Sequence, residues 1–144
     1  MNKITIEIMK KEDLHEVATV FMKVFNQVGE HWTLEIAKEH IESNFFGDCH
    51  FVALSKDRII GLIIGLPLIF ERGNSLFVDA IAVLPEYQHE GVGTLLWKKM
   101  EQYADKNAFN TIRLLTNPKL KSFDWYKNMG YEKSGWVEVF KKLK

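Results

Sequence analysis

The sequence predicts an α/β domain of the α+β type, with a mixed central sheet and about four helices packed on both of its faces. Its 144 residues are the length of one ordinary domain, and 47% of them are apolar, which is enough for one sizeable core. The predicted strands come first in hairpin order and later in strand–helix–strand order, which produces a mixed sheet. We therefore expect residues 1–144 to form a single domain.

The first half of the chain predicts an opening strand, two helices and a hairpin. Residues 3–9 alternate isoleucine with polar residues, as a half-buried strand does. Residues 11–26 repeat apolar side chains at helical spacing, and Thr33 can cap a second helix through its hydroxyl group. Residues 50–55 and 59–66 then predict the two strands of a hairpin.

The second half begins with a nearly continuous apolar strand at 76–83, as expected when both faces of a strand are covered. The elements predicted after it are a helix at 91–106, a strand at 111–116, a helix at 119–129, and two short strands at 131–134 and 136–142. Gly130 is well placed to end the last helix in a left-handed conformation.

Composition excludes several classes of protein. Nineteen basic and nineteen acidic side chains cancel, so the chain lacks the positive charge expected of a nucleic-acid binder. The longest apolar run, 59–70, is too short to span a bilayer, and residues 1–5 have no signal-peptide core. The single cysteine, Cys49, suits a reducing compartment and predicts a structural thiol, with a catalytic thiol as the alternative. We expect a cytoplasmic protein with no membrane or nucleic-acid partner.

The most informative segment is Gln-His-Glu-Gly-Val-Gly at residues 88–93, between the apolar strand and the next helix. Glycines let the backbone approach a ligand, and the first N–H groups of a helix favour an anion such as phosphate. A Gly-x-Gly pair is also compatible with a tight turn in which the glycines serve packing only. A P-loop is excluded because no Gly-Lys-Ser/Thr follows, and Leu96 replaces the third glycine of a dinucleotide-binding loop.

This segment resembles the pyrophosphate-binding motif of the GNAT superfamily of N-acetyltransferases, Gln/Arg-x-x-Gly-x-Gly/Ala. Gln88, Gly91 and Gly93 occupy the motif positions, and Val83 and Pro85 the positions expected upstream. The run Ser-Phe-Asp-Trp-Tyr-Lys-Asn-Met-Gly-Tyr at 122–131 resembles the second hallmark of the family. Glu90 departs from the pattern, because the family often has Lys or Arg there.

The resemblance implies an N-acetyltransferase that moves an acetyl group from acetyl-CoA to a primary amine of a small molecule, directly and through a tetrahedral intermediate. It also implies a GNAT-like sheet whose N-terminal antiparallel strands splay from the C-terminal part. The residues that it implies for acetyl-CoA binding are Ile81, Ala82, Val83, Gln88, His89, Glu90, Gly91, Val92, Gly93, Thr94 and Asn117.

Two residues are candidates for catalysis. Tyr126 matches the general acid of the family, although transfer of its proton to a thiolate is uphill by roughly 2 kcal/mol, which favours hydrogen-bond donation. The alternative for Tyr126 is a core tyrosine. Asp79 stands in an otherwise apolar row and is either a base, a water-relay partner or an anchor for a cationic substrate. Its alternative is a structural pair with Arg58, Arg72 or Arg113.

The acceptor amine is expected near residues 25–33, which commonly line the acceptor cleft in this family. Phe25, Glu30 and Trp32 are the candidate contacts, and Trp32 is equally compatible with a core position. The histidines lack metal-ligand spacing, so no metal is expected.

The alternatives in function are acetylation of a peptide or protein amine, a CoA-binding sensor without turnover, and a nucleotide-binding domain. Homodimers are frequent among similar proteins, but the sequence contains no visible interface pattern.

Overall fold

The computed structural model describes residues 3–144. Its regular elements are β1 (Ile4–Ile8), α1 (Leu14–Gln27), α2 (Leu34–Ser43), β2 (His50–Ser55), β3 (Arg58–Leu68), β4 (Ser75–Val83), α3 (Val92–Lys106), β5 (Thr111–Arg113) and α4 (Lys121–Asn128). Short 3₁₀ helices precede α1 and follow β4. The chain divides into two compact units, of which the first ends at Leu114 and the second is Leu115–Lys144.

The first unit contains one mixed sheet with the strand order β1-β2-β3-β4-β5. The first three interfaces are antiparallel, and β4 pairs with β5 in parallel through the α3 crossover. The predicted α/β class with a mixed sheet and four helices is confirmed.

The core lies on both faces of β3. Residues 59–65 of this strand are all buried, which requires cover on each side of the sheet. Helices α1 and α3 both pack against β3 and β4. Their apolar faces follow the predicted helical spacing, and Thr33 accepts a hydrogen bond from the amide of Ile36 to cap α2, as predicted.

Strand β4 has one fully buried face and one half-buried face. Leu76, Val78, Ala80 and Ala82 are buried, whereas the intervening side chains are partly exposed. The prediction that both faces of this strand are fully covered is therefore only half right. The half-buried face is the one that carries Asp79.

Strands β4 and β5 stay together for only three residue pairs, from Ser75 with Thr111 to Phe77 with Arg113. Beyond Phe77, β4 has no β5 residue beside it in the described sheet. The strand predicted at 111–116 therefore ends early, because a strand without a paired neighbour loses its ladder of hydrogen bonds. The pairing of β4 with β5 ends at this point.

The second unit contains α4, which ends before Gly130 with a positive φ of 96°, as predicted. The strands predicted at 131–134 and 136–142 do not form. Alternating apolar residues favour an extended backbone, but a strand also needs a hydrogen-bonded neighbour. No strand is assigned within residues 131–144 of the second unit.

None of the helices within residues 3–144 combines the length and the apolar composition needed to cross a bilayer. No group of three potential metal ligands converges within the same described range. The expectation of a single domain over residues 1–144 stays a prediction.

Candidate active site

The connection from β4 to α3 is a tight turn with two left-handed residues. His89 has a φ of 65° and Gly91 a φ of 84°, a conformation that favours glycine. A Cβ atom added to Gly91 would meet no other heavy atom within 4 Å, so the space beside it is open. A ligand can therefore approach the backbone here.

The N-terminus of α3 is not capped by a side chain. Gly91 is the N-cap residue, and the Leu95 amide makes a helical hydrogen bond of 3.1 Å to its carbonyl group. The amides of Val92, Gly93 and Thr94 precede that bond and have no acceptor within the helix. Together with the helix dipole, they form a site that favours an anion.

Gln88 connects the turn to the end of the strand. Its Nε2 atom donates a hydrogen bond of 2.8 Å to the carbonyl oxygen of Val83. The amide side chain thus holds the beginning of the turn against the last residue of β4.

The register of the sheet determines which backbone groups of β4 are accessible. The Leu84 amide donates to the Ile60 carbonyl at 2.8 Å, and Ala82 lies opposite Leu62. Because hydrogen-bonded pairs alternate in an antiparallel ladder, the main-chain groups of Ala82 face β3, whereas those of Ile81 and Val83 face away from it. The main-chain groups of Ile81 and Val83 thus point to the β5 side of β4, beyond the last residue that pairs with β5.

Asp79 pairs with a histidine side chain. Its Oδ2 atom lies 2.9 Å from Nε2 of His40 in α2, and both side chains are partly buried, at 21% and 30% exposure. This distance is that of a hydrogen bond between the ring nitrogen and the carboxyl oxygen. The alternative pairing with Arg58, Arg72 or Arg113 is wrong, because α2 brings His40 to Asp79 instead.

His40 belongs to an aromatic cluster with Phe21, Phe25 and Trp32. The Trp32 ring lies 5.2 Å from the His40 ring and 4.8 Å from Phe21, in both cases edge to face. Phe25 stands 4.7 Å from Phe21. The cluster joins the candidate acceptor residues Phe25 and Trp32 to the Asp79 pair.

Trp32 is held in place by polar contacts. The Asn26 side chain accepts from the Trp32 amide at 2.7 Å and donates to its carbonyl group at 2.9 Å. The indole Nε1 donates to Glu30 Oε1 at 2.8 Å. Trp32 is half-buried, so its ring combines a packed edge with an accessible part. Glu30, Trp32 and Phe25 therefore lie in one group, and their contact with an acceptor amine stays a prediction.

Tyr126 and Asn117 belong to the second unit. Tyr126 is buried, and burial raises the pKa of its phenol above the ordinary value. Its ring lies 5.1 Å from Trp125 and 6.3 Å from Tyr131. Asn117 Oδ1 accepts from the Lys119 amide at 2.9 Å, which forms a turn just before α4.

A model of the family described as "Acetyltransferase (GNAT) family" matches residues 11–131. The chain belongs to the GNAT family. The match covers both motifs and most of both units.

Individual relatives resemble the chain more distantly. The rat protein N-acetyltransferase family 8 member 3 is 26% identical over 105 residues, which cover 70% of this chain and 45% of the rat protein. The chain thus spans less than half the length of that relative. The solved structure of the aminoglycoside N-acetyltransferase AAC(6')-Iy with CoA has a TM-score of 0.80 at 18% identity, with 100% of this chain and 97% of that chain covered.

A ribosomal-protein-alanine N-acetyltransferase from Brucella melitensis biovar Abortus 2308 has a TM-score of 0.76 at 14% identity, over 99% of this chain and 100% of the other. At these identities the two structures show the fold of this GNAT chain and not its substrate.

Sequence reasoning missed His40 and Asn26. Asp79 and His40 are 39 residues apart, and no local pattern relates them. Ile41 lies on the predicted inward face of α2, and His40 directly precedes it. This position was the one sign in the sequence that His40 could contact the sheet. Asn26 lies three residues before the helix-breaking Gly29, so a role in fixing the following turn could have been predicted for its side chain.

Proposed function

We propose that this GNAT chain is an N-acetyltransferase that moves an acetyl group from acetyl-CoA to a primary amine of a small molecule. The observation that carries the proposal is the uncapped N-terminus of α3, which directly follows a strand whose Ile81 and Val83 backbone groups face away from β3. The anion site suits the diphosphate of coenzyme A, and the adjacent strand edge suits its pantetheine arm.

The backbone of the turn and of α3 would hold the diphosphate. Each N–H bond to a charged oxygen contributes roughly 1.5–3 kcal/mol, so three or four amides suffice without a basic side chain. The proposed contacts are Gln88, His89, Glu90, Gly91, Val92, Gly93 and Thr94, with Ile81, Ala82 and Val83 along the pantetheine arm and Asn117 as a further contact.

The negative charge of Glu90 opposes the binding of an anion. Its side chain is exposed, however, which weakens this repulsion and so supports the proposal. An exposed carboxylate is screened by water and can turn away from a diphosphate. The helix also carries the exposed Lys98, whose charge is of the opposite sign.

The acceptor amine would bind beside the aromatic cluster. Aromatic faces and carboxylates both attract ammonium groups, and Trp32, Glu30 and Asp79 supply them at one place. The partial burial of Trp32 and Asp79 favours a compact cationic molecule. The aminoglycosides named for AAC(6')-Iy are amines of this kind.

The chemistry begins with a neutral amine, so a bound ammonium first releases one proton to solvent. The amine nitrogen then bonds to the acetyl carbon to give a tetrahedral intermediate, which loses one proton from nitrogen and collapses as the carbon–sulfur bond breaks and the thiolate leaves. We assign Asp79, oriented by His40, as the acceptor of the amine proton. Tyr126 would donate a hydrogen bond to the departing sulfur, because its raised pKa opposes complete proton transfer.

The decisive experiment is a panel of amines with acetyl-CoA, read by release of the CoA thiol, with CoA affinity measured separately by calorimetry. We expect turnover with at least one small amine and a loss of turnover in Tyr126→Phe at unchanged CoA affinity. Binding of CoA with no product from any amine would identify a sensor. Stabilisation by ATP or NAD, but not by CoA, would identify a nucleotide-binding domain.

A peptide or protein amine is the second candidate, since the Brucella neighbour is named for a ribosomal-protein alanine. Peptides with a free N-terminus or an internal lysine belong in the panel for this reason. We also propose a cytoplasmic location, which suits the buried free thiol of Cys49.

A further inference from the structure

The side chain of Asn26 connects the end of α1 to the segment that leads into α2. Its carbonyl oxygen accepts from the Trp32 amide at 2.7 Å, and its NH₂ group donates to the Trp32 carbonyl at 2.9 Å. An amide side chain has one group of each kind, so it pairs with both main-chain groups of Trp32, as a neighbouring strand would. The backbone of Trp32 is therefore fixed on both sides of its Cα atom.

Neither helix needs this side chain for its own end. The Gly29 amide donates to the Asn26 carbonyl at 3.3 Å, and Gly29 has a positive φ of 100°. The Glu30 amide donates to the Phe25 carbonyl at 3.1 Å, which completes the Schellman pattern that ends α1 through the main chain. Helix α2 begins with the hydroxyl cap of Thr33. The two Asn26 hydrogen bonds are additional to these caps.

The Asn26 bonds determine where the Trp32 ring lies. Both bonds are exposed, so breaking them leaves no buried polar group unpaired and costs the core little. The ring that they direct packs edge to face on Phe21 and His40, and its Nε1 atom donates to Glu30. An exposed segment without such an anchor loses conformational entropy when a ligand orders it, whereas a segment that is already ordered avoids this cost.

We propose that Asn26 is a positioning residue for acceptor binding, which acts through the Trp32 ring. It holds the ring and the Glu30 carboxylate in place before the ammonium group of the amine arrives. This inference rests on the proposed function, because that function puts the acceptor beside the aromatic cluster.

Steady-state kinetics of Asn26→Ala test the effect on the acceptor, with the amine of highest turnover in the panel as the probe. We expect the KM for the amine to rise roughly tenfold, with kcat changed less than about twofold and CoA affinity unchanged, because the loss falls on acceptor binding alone. Asn107→Ala is the matched control. Asn107 is also an exposed asparagine at the end of a helix, donates to the Tyr103 carbonyl at 2.8 Å, and lies at the far end of α3 from the anion site.

A double variant tests whether Asn26 acts through the ring. Trp32→Ala removes the indole but keeps the main-chain groups that Asn26 binds. In the Trp32→Ala background we expect Asn26→Ala to change the amine KM less than about twofold, since effects that share one path do not add. A merely structural anchor would give the same increase in both backgrounds.

Fluorine NMR of the full chain labelled with 5-fluorotryptophan gives a readout that needs no turnover. Trp32→Phe identifies the Trp32 resonance among those of the four tryptophans. We expect this resonance to move in Asn26→Ala and to stay in place in Asn107→Ala.

Three results overturn the proposal: an unmoved Trp32 resonance in Asn26→Ala, an unchanged amine KM in that variant, or equal increases with and without the ring. A wild-type chain that acetylates no amine refutes the proposed function instead. The Trp32 resonance then decides by itself whether Asn26 positions the ring.

Discussion

At the scale of single residues, the proposed acceptor side depends on the pair of Asp79 and His40. A carboxylate among apolar neighbours needs a partner, and a histidine from α2 provides it at 2.9 Å. The same histidine contacts Trp32, so the pair and the aromatic cluster form one connected group. This contiguity supports a role in handling the amine rather than in stability alone.

We expect Asp79→Asn to lower kcat by roughly 10²- to 10³-fold, since general acid–base groups typically contribute on that order. His40→Gln keeps an N–H donor near Asp79 and should lower kcat much less. The measurement is steady-state kinetics at neutral pH, with melting temperatures of both variants. If Asp79→Asn lowers the melting temperature and leaves kcat intact, the pair is structural.

At the scale of elements, the turn between β4 and α3 combines three features that a helix start rarely has together. It has a left-handed glycine as its N-cap residue, no side-chain cap, and open space beside the glycine. Gln88 fixes the turn to the end of the strand. The amides of α3 are therefore available to an anion before any ligand arrives.

We expect Gly91→Val to raise the dissociation constant of CoA roughly 10- to 100-fold, because the side chain would stand where the diphosphate approaches and would remove one or two charged hydrogen bonds. Calorimetry measures this constant. Gly47→Val is the control, since Gly47 also has a positive φ, of 69°, and open surroundings. Both variants carry similar backbone strain of about 1–2 kcal/mol. Equal CoA affinities in the two variants would exclude the anion site.

At the scale of the whole molecule, the core around Cys49 contributes to stability that depends on alkaline pH. The Cys49 thiol is fully buried and donates to the Gly65 carbonyl at 3.1 Å. Burial raises its pKa from 9.0 to about 11. A Cβ atom on Gly65 would lie 2.9 Å from the Cys49 carbonyl oxygen, so the two strands meet closely here. These contacts make Cys49 the predicted structural thiol.

We expect Cys49 by itself to lower the free energy of unfolding by about 2 kcal/mol between pH 9 and 11, because the unfolded chain loses the thiol proton near pH 9.0 and the folded chain only near 11. The contribution is complete below pH 9 and is lost as the pH rises through the folded value. Urea unfolding at a series of pH values measures it. Cys49→Ala should flatten this decline, and parallel curves for the two proteins would contradict the assignment.

Features formed by residues close together in the sequence could be predicted, whereas features formed by distant residues could not. The turn at residues 88–93 is contiguous, so its glycines and its place after a strand were visible directly. His40 and Asp79 meet only after α2 folds against the sheet. The two C-terminal strands failed for a related reason, since alternation gives the propensity of a segment but not its hydrogen-bonded neighbour.

The sequence by itself determined the order of the strands and helices, the GNAT motifs, and the glycine turn that ends in an uncapped helix, because each depends on residues close together in the chain. Only the tertiary structure decided that Asp79 pairs with His40, that β4 pairs with β5 from Ser75 to Phe77, and that residues 136–144 carry no assigned strand. These features depend on contacts between segments that are distant in sequence. The free energies of such contacts cannot be inferred from a local sequence pattern.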